Sequence, residues 1–263
     1  MKQAAGFERI AIEAAHAGGE VLRRRFADRG RVTVEVKAKH DYVTEVDREA
    51  EAAVVAVLRR RVPDHAILAE EGSTGGADAA YRWIVDPLDG TTNFIHGVPA
   101  FAVSIGLTDA GGLAAGAVHD PCRGETFHAH RGGGAFLNGA RIACTDLDHL
   151  DAALIATGFP FRELERLPAY LAAFETFVRS TSGLRRAGSA SLDLVYTACG
   201  RYDGFFEVGL KPWDLAGGAL IVMEAGGIVT DVGGGPGFLQ EGSVVAAGPR
   251  LHAAMLTITK ETL

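Results

Sequence analysis

Only three of the 263 residues are cysteine (Cys122, Cys144 and Cys199) and only two are tryptophan. An odd number of thiols with no CxxC pair excludes a disulfide framework and a structural zinc site as organising features. The pattern fits reduced thiols in a cytoplasmic protein. Long apolar runs are also missing. The longest extends from Leu215 to Met223 and is stopped by Glu224, far short of the roughly 20 residues a membrane span needs. The opening MKQAAGFERIAIEAA lacks the uninterrupted apolar segment of a signal peptide. A basic excess is absent as well. Lys and Arg number 26 against 33 Asp and Glu, a net charge of −7, so direct nucleic-acid binding is not expected. The arginine triplets at 23–25 and 59–61 fall in helix-patterned segments and read as solvated faces. Several catalytic signatures are missing too. GSAS at 188–191 is not G-x-S-x-G, and neither a G-x-x-x-x-G-K-[ST] loop nor a G-x-G-x-x-G loop occurs. There is no internal repeat.

What remains is ample for a folded core. Hydrophobic residues make up 48%, charged residues 22%, and the 34 glycines carry no G-X-Y period, so they signal tight turns. Apolar spacing predicts helices over 4–28, ending near Gly30, and over 47–61, with Asp47 as a candidate N-cap. It predicts further helices over 163–179, with a disturbance at Pro168, and over 189–200, 213–225 and 249–260. Strand-like segments stand at 32–36, 66–69, 81–85, 101–107, 113–118, 125–130, 153–158, 204–208, 228–232 and 243–247. The mixture implies layered helices and sheets in one domain of 1–263, with a soft division near 145–151.

The chemistry is concentrated where apolar runs stop at acids. The strand ending at Val85 meets Asp86-Pro87-Leu88-Asp89-Gly90-Thr91-Thr92. Pro87 keeps Asp86 out of the helical region, Gly90 permits a sharp turn, and the threonines can open a helix whose first N–H groups suit a phosphate. Glu70 and Glu71 end a second run, and Asp214 starts an apolar helix. Glu70, Asp86, Asp89 and Asp214 together form an all-oxygen acidic set of the kind that suits Mg²⁺ or Mn²⁺. Glu71 reads better as a solvated neighbour than as a ligand. His96 reads as a structural or surface histidine. His128 and His130 share a strand face but have no third ligand near them in sequence, so they are not expected to bind metal.

These segments resemble the inositol monophosphatase family, a branch of the lithium-sensitive, magnesium-dependent sugar phosphatases. The family pattern D-P-[LI]-D-G-T-T-N-F stands intact at 86–94. The G/A-E-E element is at 69–71, D-x-V-T-x-x-D at 41–47, and W-D-x-A-x-x-x-x-[IV]-x-x-E-A-G-G at 213–227. HGVPAFAVSIGL, RGGGAFLNG and RRAGSASLDLVY extend the likeness over nearly the whole chain, and the last is most like bacterial members. The resemblance implies an α+β fold, the layered αβαβα sandwich shared with fructose-1,6-bisphosphatases. It also implies hydrolysis of myo-inositol monophosphate with two or three Mg²⁺ ions, Mn²⁺ being an acceptable substitute. Glu70, Asp86 and the Leu88 carbonyl would hold one ion, and Asp86, Asp89 and Asp214 a second. Glu70 would also reach a third. Asp47 and Thr91 would orient the attacking water, and Gly90 and Thr91 would bind the phosphate. Asp89, Ala190, Glu207 and Asp214 would meet the substrate. Lithium sensitivity and a homodimer are further implications. The shared metal motif leaves open fructose 1,6-bisphosphate, phosphoadenosine phosphate, NADP or histidinol phosphate as substrate, and a binding role in an RNA or transcription complex.

Overall fold

The computed structural model describes residues 2–28, 34–38, 41–74, 79–161 and 163–263. Five layers alternate helix and sheet. The first holds α1 (Lys2–Ala27) and α2 (Glu45–Arg61), which pack on each other and on the first sheet. That sheet has eight strands: β3 (Ala66–Ala69), β4 (Ser73–Thr74), β5 (Arg82–Asp89), β6 (Ala102–Asp109), β7 (Gly112–Asp120), β8 (Glu125–His130), β9 (Gly134–Leu137) and β10 (Ala140–Ile142). Their order is β10-β9-β8-β7-β6-β5-β3-β4, and only β3 and β5 run parallel. A separate hairpin joins β1 (Val34–Ala38) to β2 (Asp41–Thr44), and a short helix, α3 (Thr91–His96), follows β5.

The middle layer is α5 (Ala190–Ala198) and α6 (Pro212–Glu224). Beyond it lies a five-stranded sheet in the order β12-β11-β13-β15-β14. Its strands are β11 (Leu154–Thr157), β12 (Gly183–Arg185), β13 (Gly204–Val208), β14 (Ile228–Thr230) and β15 (Ser243–Ala247). Its outer face is covered by α4 (Leu167–Ser180) and α8 (Pro249–Thr262), and the four-residue α7 (Phe238–Glu241) links β14 to β15. Three apolar clusters fill the interfaces: one under α1 and α2, one around α5 and α6, and one under α4 and α8. This is the αβαβα sandwich.

The middle layer sits close to the first sheet because small residues meet there. A Cβ on Gly106 would stand 2.6 Å from the Cβ of Ala216, and one on Gly217 would stand 2.9 Å from the Ile105 carbonyl oxygen. On the other face, α1 is pinned by a polar contact. His128 and His130 donate from Nδ1 to the two oxygens of Glu8, at 2.7 and 2.6 Å. The histidine pair is therefore a helix anchor. Burial pushes the Cys144 thiol up to about 12, and all three cysteines are unpaired.

Several expectations are corrected. Asp47 is not the N-cap of α2. Thr44 is, and Asp47 stands three residues into the helix, its carboxylate accepting from the Thr44 N–H in a capping box. Pro168 disturbs nothing, because it lies in the first turn of α4, where no intrahelical donor is needed. The 81–85 strand continues to Asp89. The helix expected over 4–28 ends at Ala27, and the strand expected at 32–36 appears as 34–38, Gly30 and residues 32 and 33 lying outside the described residues. β9, β10 and β12 were not anticipated, being only three or four residues long.

Candidate active site

β5 delivers two acids to one place by breaking its own pairing. Asp86 stands opposite Ser104 and Asp89 opposite Ala102. In a regular strand, residues three apart face opposite sides of the sheet. Here three steps on β5 match two on β6, so a bulge turns Asp86 and Asp89 to the same side. Pro87 suits the irregularity because it has no N–H to pair. The Leu88 N–H turns back to Asp86 Oδ1 at 3.0 Å.

Asp214 enters from the first turn of α6, where its Oδ2 accepts from the Lys211 N–H at 2.7 Å. It is therefore a capping carboxylate inside the helix and not the N-cap itself. Asp86, Asp89 and Asp214 are all buried, and one oxygen of each falls within 4.8 Å of the others. Burial, then the charges of Glu70, Asp89 and Asp214, push the Asp86 carboxyl well above the usual carboxylate range. Burial also raises Asp89, partly offset by the hydroxyls of Ser189 and Ser191 and the Ser191 N–H, all directed at its Oδ2. Glu70 follows β3, its N–H bonded to the Val85 carbonyl at 3.2 Å, which sets it beside Asp86.

A cavity of about 320 Å³ opens over these acids, lined by Glu70, Asp86, Leu88, Asp89 and Asp214 on one side. Gly90, Thr91 and Thr92 at the start of α3 form its floor. Gly90 has φ +98, and a Cβ there would also lie 2.9 Å from the Ala100 carbonyl oxygen, so glycine is required. The Thr91 hydroxyl lies 3.1 Å from both Asp47 Oδ1 and the Leu88 carbonyl. Burial raises Asp47, against the hydrogen bonds from Thr44 and Thr91. Glu71 does not line the cavity. Its N–H donates to Glu51 at 2.9 Å.

The second half of the chain closes the cavity. Ala190 and Glu207 both line it, Glu207 over Gly158, where any side chain would collide with its carboxylate. Every residue proposed from sequence thus lies in the cavity wall except Asp47, which reaches it through Thr91. His96 is exposed at the rim. Sequence reasoning missed four participants. Asn93 ties α3 to the 187–188 loop by donating to the Ala187 carbonyl at 2.8 Å, and to the segment before β6 by donating to the Ala100 carbonyl at 2.7 Å. Ser189 holds Asp89. Arg186 lies over the rings of Phe159 and Phe161, 5.4 Å from each centroid. Asp193 is buried on α5 and lines the cavity. A charged residue in the otherwise apolar turn LDLVY was the available signal for Asp193.

Fold and site define a layered α/β protein whose cavity joins clustered acids to a glycine-opened helix start. The chain belongs to the inositol monophosphatase family, whose model matches residues 4–262. It is 50% identical over 253 residues to the Nus factor SuhB of Pseudomonas aeruginosa, covering 94% of this chain and 93% of that protein. The crystal structure of the extragenic suppressor protein suhB from Bartonella henselae superposes with a TM-score of 0.94 at 39% identity, covering 98% of this chain and 100% of that one. The inositol monophosphatase from Anabaena gives 0.88 at 37% identity, covering 98% and 97%. Among the described residues no helix is long and apolar enough to cross a membrane.

Proposed function

We propose that this chain is a Mg²⁺-dependent phosphomonoesterase that hydrolyses myo-inositol monophosphate. One observation carries the reading: Asp86, Asp89 and Asp214 gather their oxygens within 4.8 Å in the wall of a cavity that also holds Gly90, Thr91 and Glu207. Three buried carboxylates this close are stable together only if protons or cations compensate them. The all-oxygen set fits Mg²⁺ or Mn²⁺ better than zinc or copper. Asp86 would bridge two ions, with Glu70 and the Leu88 carbonyl on one side and Asp89 and Asp214 on the other. Bound there, the metal supplies positive charge to the phosphate oxygens and lowers the pKa of a water.

The chain's own groups do the rest. The Thr91 hydroxyl, held between Asp47 and the Leu88 carbonyl, orients the attacking water with Asp47. The N–H groups of Gly90 and Thr91 bind phosphate oxygens. Glu207 accepts hydrogen bonds from substrate hydroxyls, beside Asp89 and the Ala190 backbone. The Asn93 bonds hold α3 against the 187–188 loop, so the phosphate and polyol subsites keep their spacing. The test is kcat/KM, with and without Mg²⁺, for inositol-1-phosphate, fructose 1,6-bisphosphate, phosphoadenosine phosphate, NADP and histidinol phosphate. Inositol-1-phosphate should lead. Absence of Mg²⁺-dependent release from all five would refute the reading.

A second reading is favoured by the name Nus factor given to relatives: a partner role in a transcription complex, held together with the enzyme. The net charge of −7 makes a protein surface the better-matched contact than RNA. A chain carrying Asp86→Asn separates the two roles, since a partner role should survive loss of phosphatase activity. A homodimer belongs to the same proposal and is checked by sedimentation.

A further inference from the structure

Asp193 has the chemistry of a site residue without the hydrogen bonds of a structural one. It is 1% exposed, and among the described residues its Oδ1 has no hydrogen-bond partner. Buried polar atoms in native folds are nearly always paired, so an orphan points to a ligand or a water that the fold itself does not supply. The main chain of Asp193 is fully engaged: its N–H donates to the Ser189 carbonyl at 3.0 Å, and its carbonyl accepts from the Thr197 hydroxyl at 2.9 Å. The helix does not need the carboxylate.

Position explains where the carboxylate is used. On α5, Asp193 lies one turn beyond Ser189 and Ala190, on the same helix face, and all three line the cavity. Across from α5, β13 places Glu207 in the same wall, with room made by Gly158. Arg186, stacked on Phe159 and Phe161, closes this end. The cavity therefore presents two carboxylates from two different elements, apart from the phosphate-binding start of α3. One carboxylate can take one hydroxyl or an adjacent pair. Two carboxyl groups on separate elements suit a ring carrying several hydroxyls.

We infer that Asp193 is a specificity-determining residue which, with Glu207, accepts hydrogen bonds from the unphosphorylated hydroxyls of a polyol or sugar monophosphate. This deepens the phosphatase reading and rests on it.

The test compares wild type with Asp193→Leu, which is close in size and has no polar atom, and with Asp193→Asn, which keeps one acceptor oxygen. Steady-state kinetics are measured at saturating Mg²⁺ with inositol-1-phosphate and with phenyl phosphate, which offers no hydroxyl, together with the thermal midpoint of each chain. For Asp193→Leu, kcat/KM on inositol-1-phosphate should fall roughly tenfold to a hundredfold, the range expected when a buried hydroxyl is left without its hydrogen-bond partner. The loss should come chiefly through KM. Phenyl phosphate should change less than about twofold, and Asp193→Asn should recover part of the loss. Equal losses on both esters would assign Asp193 to the metal site or the fold and overturn the inference, as would no change on either. If the leucine chain does not fold, the asparagine chain is judged by the same selective loss. Wild type inactive on both esters overturns the phosphatase reading and this inference with it. Wild type active on both, with Asp193→Leu unchanged, overturns the inference alone.

Discussion

Replacing Asp86 by Asn should make the metal-free protein more stable while abolishing its chemistry. The three oxygens lie within 4.8 Å of one another, and at an effective dielectric constant of about 20 two charges at that outer limit repel by about 3.5 kcal/mol. Asp86 takes part in two of the three contacts within the cluster, so the fully ionised apo site would be strained by about 7 kcal/mol at that residue. With its carboxyl pushed well above the usual range, Asp86 can relieve this by taking up a proton. Protonating an ordinary carboxyl of pKa 3.8 at pH 7 costs about 4 kcal/mol, at 1.36 kcal/mol per unit. That smaller figure caps the strain. Asn removes the charge and still accepts the Leu88 N–H through its amide oxygen. In chelator at pH 7, Asp86→Asn should therefore gain about 2–4 kcal/mol, which is roughly 5–15 °C in Tm for a chain of this size. Mg²⁺ should raise the Tm of wild type and leave that of the variant nearly unchanged, and phosphate release should be lost at any Mg²⁺ concentration. Differential scanning calorimetry with and without chelator reads the first two effects. An Asp86→Asn chain that melts at or below wild type in chelator would refute the electrostatic argument. Retained kcat would refute the bridging role.

Li⁺ should inhibit where the same concentration of K⁺ does not, by occupying the ion position that includes Asp214; equal effects would reduce it to ionic strength. Glu207→Gln should lower kcat/KM for inositol-1-phosphate roughly tenfold to a hundredfold, with p-nitrophenyl phosphate and the Mg²⁺ dependence unchanged. Parallel loss on both esters would assign Glu207 to the metal site instead. Glu8 is a folding prediction. Burial pushes its carboxyl up, but the hydrogen bonds and charges of His128 and His130 outweigh that and hold it below 4.5. A carboxyl lowered on folding stabilises the native state above its unfolded pKa and loses that contribution as pH falls through the folded value. Glu8→Gln should cost about 1.5–3 kcal/mol at pH 7, and the difference from wild type in urea titrations should shrink steadily below pH 4.5. A constant difference across that range would sink the assignment.

The parts legible in sequence are those where local pattern and chemistry coincide. Apolar runs that stop at Glu70 and Asp86, and one that starts just after Asp214, announce strand and helix ends, and the structure brings those ends together. The bulge at Pro87-Leu88 was not legible, because it exists only against β6, and register is a property of two strands. Asp47 was placed at the wrong helix position because both Thr44 and Asp47 are good starters, and the capping box uses both. Asp193 and Arg186 were missed for a different reason. Their neighbours in the cavity, Glu207 and the Phe159–Phe161 pair, come from segments separated in sequence, and no spacing within α5 reveals them. β9, β10 and β12 are too short for any period to show.

The carboxylates share a manner of attachment whose consequence reaches past catalysis. Asp47 is tethered through Oδ2 to the Thr44 N–H, Asp214 through Oδ2 to the Lys211 N–H, Asp86 through Oδ1 to the Leu88 N–H, and Asp89 through Oδ2 to Ser189 and Ser191. Asp86, Asp89 and Asp214 are thus each clamped by one oxygen to their own stretch of backbone or to a neighbouring turn, and Asp47 is held through both oxygens, the second by the Thr91 hydroxyl. The torsional freedom a carboxylate would lose on gripping a cation is already gone when the helices and the bulge form. Selection on such a pocket should act on side-chain length more severely than on charge. A glutamate at 86 would carry the same valence, yet its extra methylene cannot close the same ring to the Leu88 N–H, so the grip loosens while the electrostatics hardly change.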